Sequence, residues 1–309
     1  MGKYQKTFFG IFPRTEALVK ATQDWERRRI TDEELKKFYE EDYRFWLYVQ
    51  KEIGAEPFVD GMLNWDDLFH PLSEIYEGIQ RGPLSRFLET NTFYRPLRLT
   101  STPFLKKGEL EKWSETYFRK NGNTWAACLP GIHALHYHFS RENEEISYEF
   151  CANLLSPLLD FLAQKRKFSF FHLMEPWLEP AHLKAQHKQA YHSAFSTLPP
   201  LKYILHPSSV TPVSLPFYLS LPISGLKVDA TGFLPEWWKE IEWNSRVALY
   251  IGIIDMRQSR IEKRDWLKGY LEKVESNPGI REIVLTGNTD PMFLPATVAK
   301  KKMELVKEI

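Results

Sequence analysis

Short apolar runs recur along the chain with longer helical stretches between them, and this alternation narrows the fold more than any other feature. The runs are Thr7–Phe12, Pro57–Gly61, Thr124–Leu129, Lys167–Met174, Leu201–His206, Gly225–Asp229, Val247–Asp255 and Glu282–Thr286. Most are continuous rather than alternating, as strands buried on both faces require. Strands that alternate with helices build a parallel sheet covered by helices. Length alone would allow two domains, but α/β barrels often reach this size as one. Eight such units therefore predict an α/β fold, a single (β/α)8 TIM barrel over residues 1–309. The stretch 63–120 does not fit the repeat. It is read as an excursion after the second strand, on the side where barrel loops build active sites, and so over the barrel mouth.

The helical stretches carry their own signals. Thr31 followed by Glu34 is a capping box. Leu35, Phe38, Phe45 and Val49 then keep helical spacing, with Asp42 as a polar exception, and Gly54 is placed to end the helix. Further helices are expected from about Ile146 to Lys165, Trp266 to Glu275 and Ala296 to Ile309.

Composition excludes several functions. With 41 basic and 40 acidic residues, the chain has no charge excess with which to attract nucleic acid. No apolar run approaches the ~20 residues that span a bilayer. The start, MGKYQKTFFG, has no signal-peptide core, and Lys6 stands where a myristoylation motif wants Ser or Thr, so a cytoplasmic location is expected. The two cysteines, Cys128 and Cys151, are too few for a disulfide framework or a Cys-rich zinc site and read as small buried residues.

Short motifs stand at the strand ends in a characteristic order. GIFPRTEALVKA (Gly10 to Ala21), QKEIGAEPFVDG (Gln50 to Gly61), FLETNTFYRP (Phe87 to Pro96) and CLPGIHAL (Cys128 to Leu135) are followed by LMEPWL (Leu173 to Leu178), GIIDMRQSRIE (Gly252 to Glu262) and LTGNTDPMFLP (Leu285 to Pro295). In this order they resemble the cobalamin-independent methionine synthase family, and the likeness runs along essentially the whole chain. The resemblance implies a zinc-dependent methyltransferase barrel that makes methionine from homocysteine.

The positions that would carry this chemistry have changed. A thiol must become a thiolate to accept a methyl group, and zinc achieves this by lowering its pKa. The family holds zinc with His-x-Cys, a later Glu and a still later Cys. The matching residues here are His206, Ser208, Asp229 and Thr289. Neutral hydroxyls are poor zinc ligands, so zinc is not expected in this chain; His206 and Asp229 remain as weak metal candidates. The polar positions that the resemblance assigns to homocysteine are Ile11, Met62 and Met174, which offer an ammonium group no partner.

Other family positions keep their polarity. Arg14 and Lys20 match basic residues that the resemblance links to the folate tail. Asp67, Glu175, Asp255, Arg257 and Arg260 also match, either as an ion-pair network or as contacts to a methyl donor. His133, His136 and His138 suggest a metal cluster, although packing is the simpler role. Aromatic stretches at Tyr43–Tyr48, Asn91–Tyr94 and Phe233–Trp243 read either as core or as a partner surface.

Together these features predict an accessory, non-catalytic barrel of a methionine synthase system. Such a barrel would bind a folate or corrinoid methyl donor, or dock a catalytic methionine synthase core chain or a methyl-carrying protein. A methyltransferase with altered metal or substrate, and a stand-alone folate or corrinoid binding protein, are the alternatives.

Overall fold

The chain's computed structural model describes residues 3–88, 90, 92–117, 124–141 and 146–309. Among the described residues, seven parallel strands form the central sheet: β1 (Gln5–Lys6), β2 (Ala126–Pro130), β3 (Phe170–Glu175), β4 (Tyr203–Pro207), β5 (Gly225–Asp229), β6 (Ala248–Ile254) and β7 (Ile283–Gly287). Their spatial order is β1-β7-β6-β5-β4-β3-β2. Helices between them cover the outer face, so strands such as ALYIGII are buried on both sides.

Among the described residues the sheet has seven strands rather than eight, because Pro57–Gly61 forms only a single bridge, Phe58 to Trp125. Pro57 has no N–H for a ladder, and Gly61 and Met62 both take positive φ, which turns the chain. The segment still joins the two edges of the sheet. Glu56 N–H donates to the Lys6 carbonyl at 2.8 Å, and Thr7 Oγ1 donates to the Pro57 carbonyl at 2.8 Å. On the other side Phe58 N–H donates to the Thr124 carbonyl, and Ala126 N–H donates to the Phe58 carbonyl, each at 2.8 Å. Gln50 completes this arrangement. Its side-chain carbonyl accepts from Val59 N–H and its amide donates to the Val59 carbonyl, both at 2.9 Å, so one side chain does the work of a neighbouring strand.

The first run also shortens. Thr7 N–H still reaches the Leu285 carbonyl at 3.1 Å, but Gly10 at φ +74° bends the chain out of the sheet. A Cβ at Gly10 would stand 2.4 Å from that of Asp290, so the position demands glycine on two counts.

The helix expected after Thr31 spans Asp32–Ile53, with both halves of the capping box formed and Gly54 in the left-handed region. Asp42, the polar exception on its apolar face, is buried and accepts from the backbone N–H and hydroxyl of Thr15 at 2.8 and 2.5 Å. Thr15 caps the helix Glu16–Glu26, so Asp42 ties two helices together. The other expected helices appear as Tyr148–Gln164, Arg264–Glu275 and Ala296–Glu304.

Within the stretch 63–120, a short helix (His70–Ile75) leads into antiparallel strands Tyr76–Arg81 and Leu97–Leu105, and a smaller pair, Ser85–Arg86 with Phe93–Tyr94, lies between them. Glu89 and Asn91 of the FLETNTFYRP motif, and residues 118–120, lie outside the described residues. The Phe233–Trp243 stretch packs inward. Trp238 and Trp243 are buried and donate to Tyr270 Oη and the Val247 carbonyl, so these two side chains belong to the core rather than to a partner surface. Among the described residues no helix is long and apolar enough to cross a membrane.

Replacing Gln50 by Leu would strand the N–H and carbonyl of Val59 in a buried setting. We expect Gln50→Leu to lower unfolding free energy by about 2–4 kcal/mol in urea titration, from two unsatisfied backbone groups. A loss of a few tenths of a kcal/mol would show that this side chain does not hold the segment.

Candidate functional site

A cavity of about 150 Å³ lies at the C-terminal ends of the strands. Its polar floor comes from β4, β5 and the turns after β6 and β7: His206, Ser208, Lys227, Asp229, Arg257, Asn288, Thr289 and Asp290. Phe9 and Ile11 line it after β1, and Met174 at the end of β3. The 63–120 stretch supplies much of the apolar wall, through Phe69, Phe87, Leu88, Phe93 and Tyr94. Strand geometry selects these residues in steps of two, since alternate side chains share a face. Lys227 and Asp229 are one such pair, and His206 and Ser208 follow the same spacing as β4 runs into its turn.

His206 is buried and held by a residue that the sequence reading did not single out. Its Nε2 lies 2.6 Å from Nδ1 of His172, a fully buried side chain on β3, so one ring donates to the other. The remaining nitrogens, His206 Nδ1 and His172 Nε2, have no hydrogen-bond partner among the described residues. Burial pushes His172 down to about 3 and His206 well below its ordinary value, so both rings are neutral at pH 7.

Asp229 and Asp255 share the guanidinium of Arg257. Arg257 Nη2 lies 3.2 Å from Asp229 Oδ2, and its Nε lies 3.2 Å from Asp255 Oδ1. Asp229 Oδ1 also accepts from the backbone and hydroxyl of Thr231, at 2.8 and 2.7 Å. Burial opposes the charge on Asp255, but hydrogen bonds from Gln258, Asn288 and Arg257 outweigh it and hold the carboxyl below its ordinary range. Asn288 fixes the centre of this network, donating to Asp255 Oδ1 at 2.8 Å and accepting from Met256 N–H at 2.9 Å.

Lys227 is the second floor residue that the sequence reading missed. It is buried, and its Nζ donates to the Asn288 carbonyl at 2.9 Å. Burial lowers its pKa to about 8. Asp290, opposite in sign, is pushed up to about 7 by burial, against hydrogen bonds from Ile11 N–H and the Thr289 hydroxyl. The signal for Lys227 was present: it stands two residues before Asp229 in an otherwise apolar strand, so both face the same way.

The remaining expected residues scatter. Asp67 lines the cavity, but its carboxylate is taken up by backbone N–H groups of Phe69, His70 and Arg95. Glu175 is not at the cavity. It is fully buried and accepts from His133 N–H, Ala134 N–H and Tyr191 Oη at the start of helix Ile132–Phe139. Gly131 makes this approach possible, since a Cβ there would meet the Glu175 carboxyl at 2.3 Å. Burial pushes Glu175 up to about 7. Arg14 donates to the Leu63 carbonyl at 2.8 Å, beside Tyr39 and away from the cavity lining. Lys20 is exposed on the helix Glu16–Glu26, and Arg260 is exposed with its carbonyl accepting from Lys302 Nζ. Of the three apolar replacements, Ile11 and Met174 line the cavity and Met62 does not.

The histidines after β2 serve packing. His133 Nδ1 lies 2.9 Å from Tyr148 Oη. His138 is buried against Phe69, Trp177 and Tyr94, with neither ring nitrogen partnered among the described residues. Among the described residues no three His, Cys, Asp or Glu side chains converge as a metal site. Cys128 and Cys151 are free and buried, and Cys128 Sγ accepts from Gly10 N–H at 3.2 Å.

The donor set at the floor does not suit zinc. Ser208 and Thr289 offer neutral hydroxyls, and the carboxylate of Asp229 is already committed to Arg257 and Thr231. A buried lysine beside them adds positive charge where a divalent cation would need negative.

No protein-family model matches the chain. Its fold is similar to that of a protein provisionally named a vitamin-B12-independent methionine synthase from Listeria monocytogenes, with a TM-score of 0.69 at 17% identity over 99% of this chain and 97% of that one. It is also similar to a B12-independent methionine synthase from Shewanella sp. W3-18-1, solved in complex with selenomethionine, with a TM-score of 0.72 at 13% identity over 97% and 95%. At these identities the likeness establishes a shared fold.

His138 supplies a test of the packing role. Burial lowers its pKa to about 3 in the fold, whereas the unfolded ring titrates near 6.5. Its neutral burial is therefore fully favourable above the unfolded value, and that contribution is lost as pH falls. We expect His138→Phe to gain about 2 kcal/mol on the parent between pH 7.5 and pH 5, in paired urea titrations. An unchanged difference across that range would mean that His138 is not buried as a neutral ring.

Proposed function

We propose that this chain serves methyl transfer to homocysteine as an accessory barrel and does not activate the thiol itself. One observation carries the reading: the two positions where the resemblance places zinc thiolates, Ser208 and Thr289, both line the cavity as hydroxyls, beside an Asp229 neutralised by Arg257. The fold shared with methionine synthase structures along nearly the whole chain supports the link to that reaction. The accessory role follows from keeping the scaffold while changing the groups that do the chemistry.

The cavity also bears on how such a barrel would act. At about 150 Å³ it is small beside the roughly 300–1,000 Å³ of sites that enclose drug-sized ligands. A folate or a corrinoid would lie across the mouth rather than within it, which favours docking of a catalytic core chain, or of a methyl-carrying protein, over stand-alone capture of the donor.

Purified protein dialysed against equimolar Zn²⁺ and desalted should retain far less than one zinc per chain. It should not methylate homocysteine alone from a methylated folate or corrinoid, and it should co-purify with a catalytic methionine synthase chain. Stoichiometric zinc together with methyl transfer by this chain alone would overturn the proposal. So would a deletion strain that grows without methionine, combined with a pull-down that recovers no such chain.

A further inference from the structure

The cavity floor holds a cation whose hydrogen-bonding capacity is mostly unused. An ammonium group has three donors, and Lys227 Nζ makes one hydrogen bond among the described residues, to the Asn288 carbonyl. No described carboxylate lies within 4.0 Å of it. Two acids of the lining, Asp229 and Asp290, act on it through space without forming an ion pair: Asp229 is matched by Arg257, and Asp290 accepts from Ile11 N–H at 3.2 Å. His206, whose buried Nδ1 has no partner among the described residues, lines the same floor.

A buried ammonium group without a direct ion pair is costly. A ligand anion would remove the cost directly. The opposite wall asks for a different chemistry, since Phe69, Phe87, Phe93 and Tyr94 present rings and Met174 a thioether chain. With about 150 Å³ available, the space suits a single ring with a short tail.

We infer that this cavity binds a small monoanion with a flat apolar body, its carboxylate on Lys227 Nζ and its ring against Phe87 and Tyr94. The inference concerns ligand class alone and does not rest on the accessory role, which stands or falls with zinc retention and partner capture. An α-amino acid is disfavoured, because its ammonium group would face the like charges of Lys227 and Arg257 on the same floor.

Calorimetric titration with 3-phenylpropionate, 3-phenylpropanamide and 3-phenylpropylamine tests it on the unmodified protein. The acid should bind at least about tenfold more tightly than the amide, the size expected of a charge-assisted hydrogen bond, and the amine should not bind. Lys227→Met should bring acid and amide to within about threefold of each other. Phe87→Ala should weaken both and leave the preference for acid intact, which keeps the test open should the lysine variant fail to fold. Equal binding of acid and amide by the unmodified protein, no binding of the acid at millimolar concentration, or an undiminished preference in folded Lys227→Met would each overturn the inference.

Discussion

A parallel sheet buried on both faces cannot leave its edge strands open to water, and in this protein the two edges are joined by a few residues around Phe58. That segment has no ladder of its own. It depends on hydrogen bonds to Lys6 on one side and to Thr124 and Ala126 on the other, and on Gln50, which reaches from a helix to satisfy both polar groups of Val59. The helix must in turn be held in place. Its capping box fixes the start, and Asp42 anchors its middle to Thr15. The cavity is lined from both sides of this junction, by Phe9 and Ile11 after β1 and by Met174 at the end of β3, so its geometry inherits the stability of the closure.

The electrostatics of the floor follow a different logic from that of a metal centre. A bound divalent ion concentrates positive charge at one point and draws anionic ligands around it. Here the positive charge is covalent and divided between Lys227 and Arg257, and each carboxylate is tied to hydrogen-bond donors. The paired histidines, neutral and packed beside Phe9, add polarity without charge. Such a floor is already organised before any ligand arrives, and its lysine is the group with most left to offer.

Local features of the chain were legible in the sequence where the cause is local. Thr31, Glu34 and Gly54 mark their helix because capping depends on a few neighbouring residues. Gly225–Asp229 appears as expected because a short apolar run between turns has few alternatives. Pro57–Gly61 was misread as a strand because its apolar content resembles one, while the missing N–H and the two positive-φ residues matter only once hydrogen bonds are counted. His172 and Lys227 went unnoticed because a polar residue inside an apolar strand declares its role only when the strand's facing is known. Glu175 illustrates the converse. Its position beside Pro176 matches a family motif, yet Gly131 lets a helix terminus close over it and removes it from the cavity.

The pairing of β1 with β7 has a consequence for how this chain acquires its structure. Gln5 and Lys6 lie against Val284 and Leu285, so the first strand meets the strand it pairs with only after all the intervening strands have been made. Contacts of such sequence separation are slow to form. While the ribosome is still synthesising the chain, the apolar edges of the growing sheet must remain uncovered, the condition in which aggregation competes with folding and chaperones act. The strand β7 therefore acts as the latch that commits the sheet.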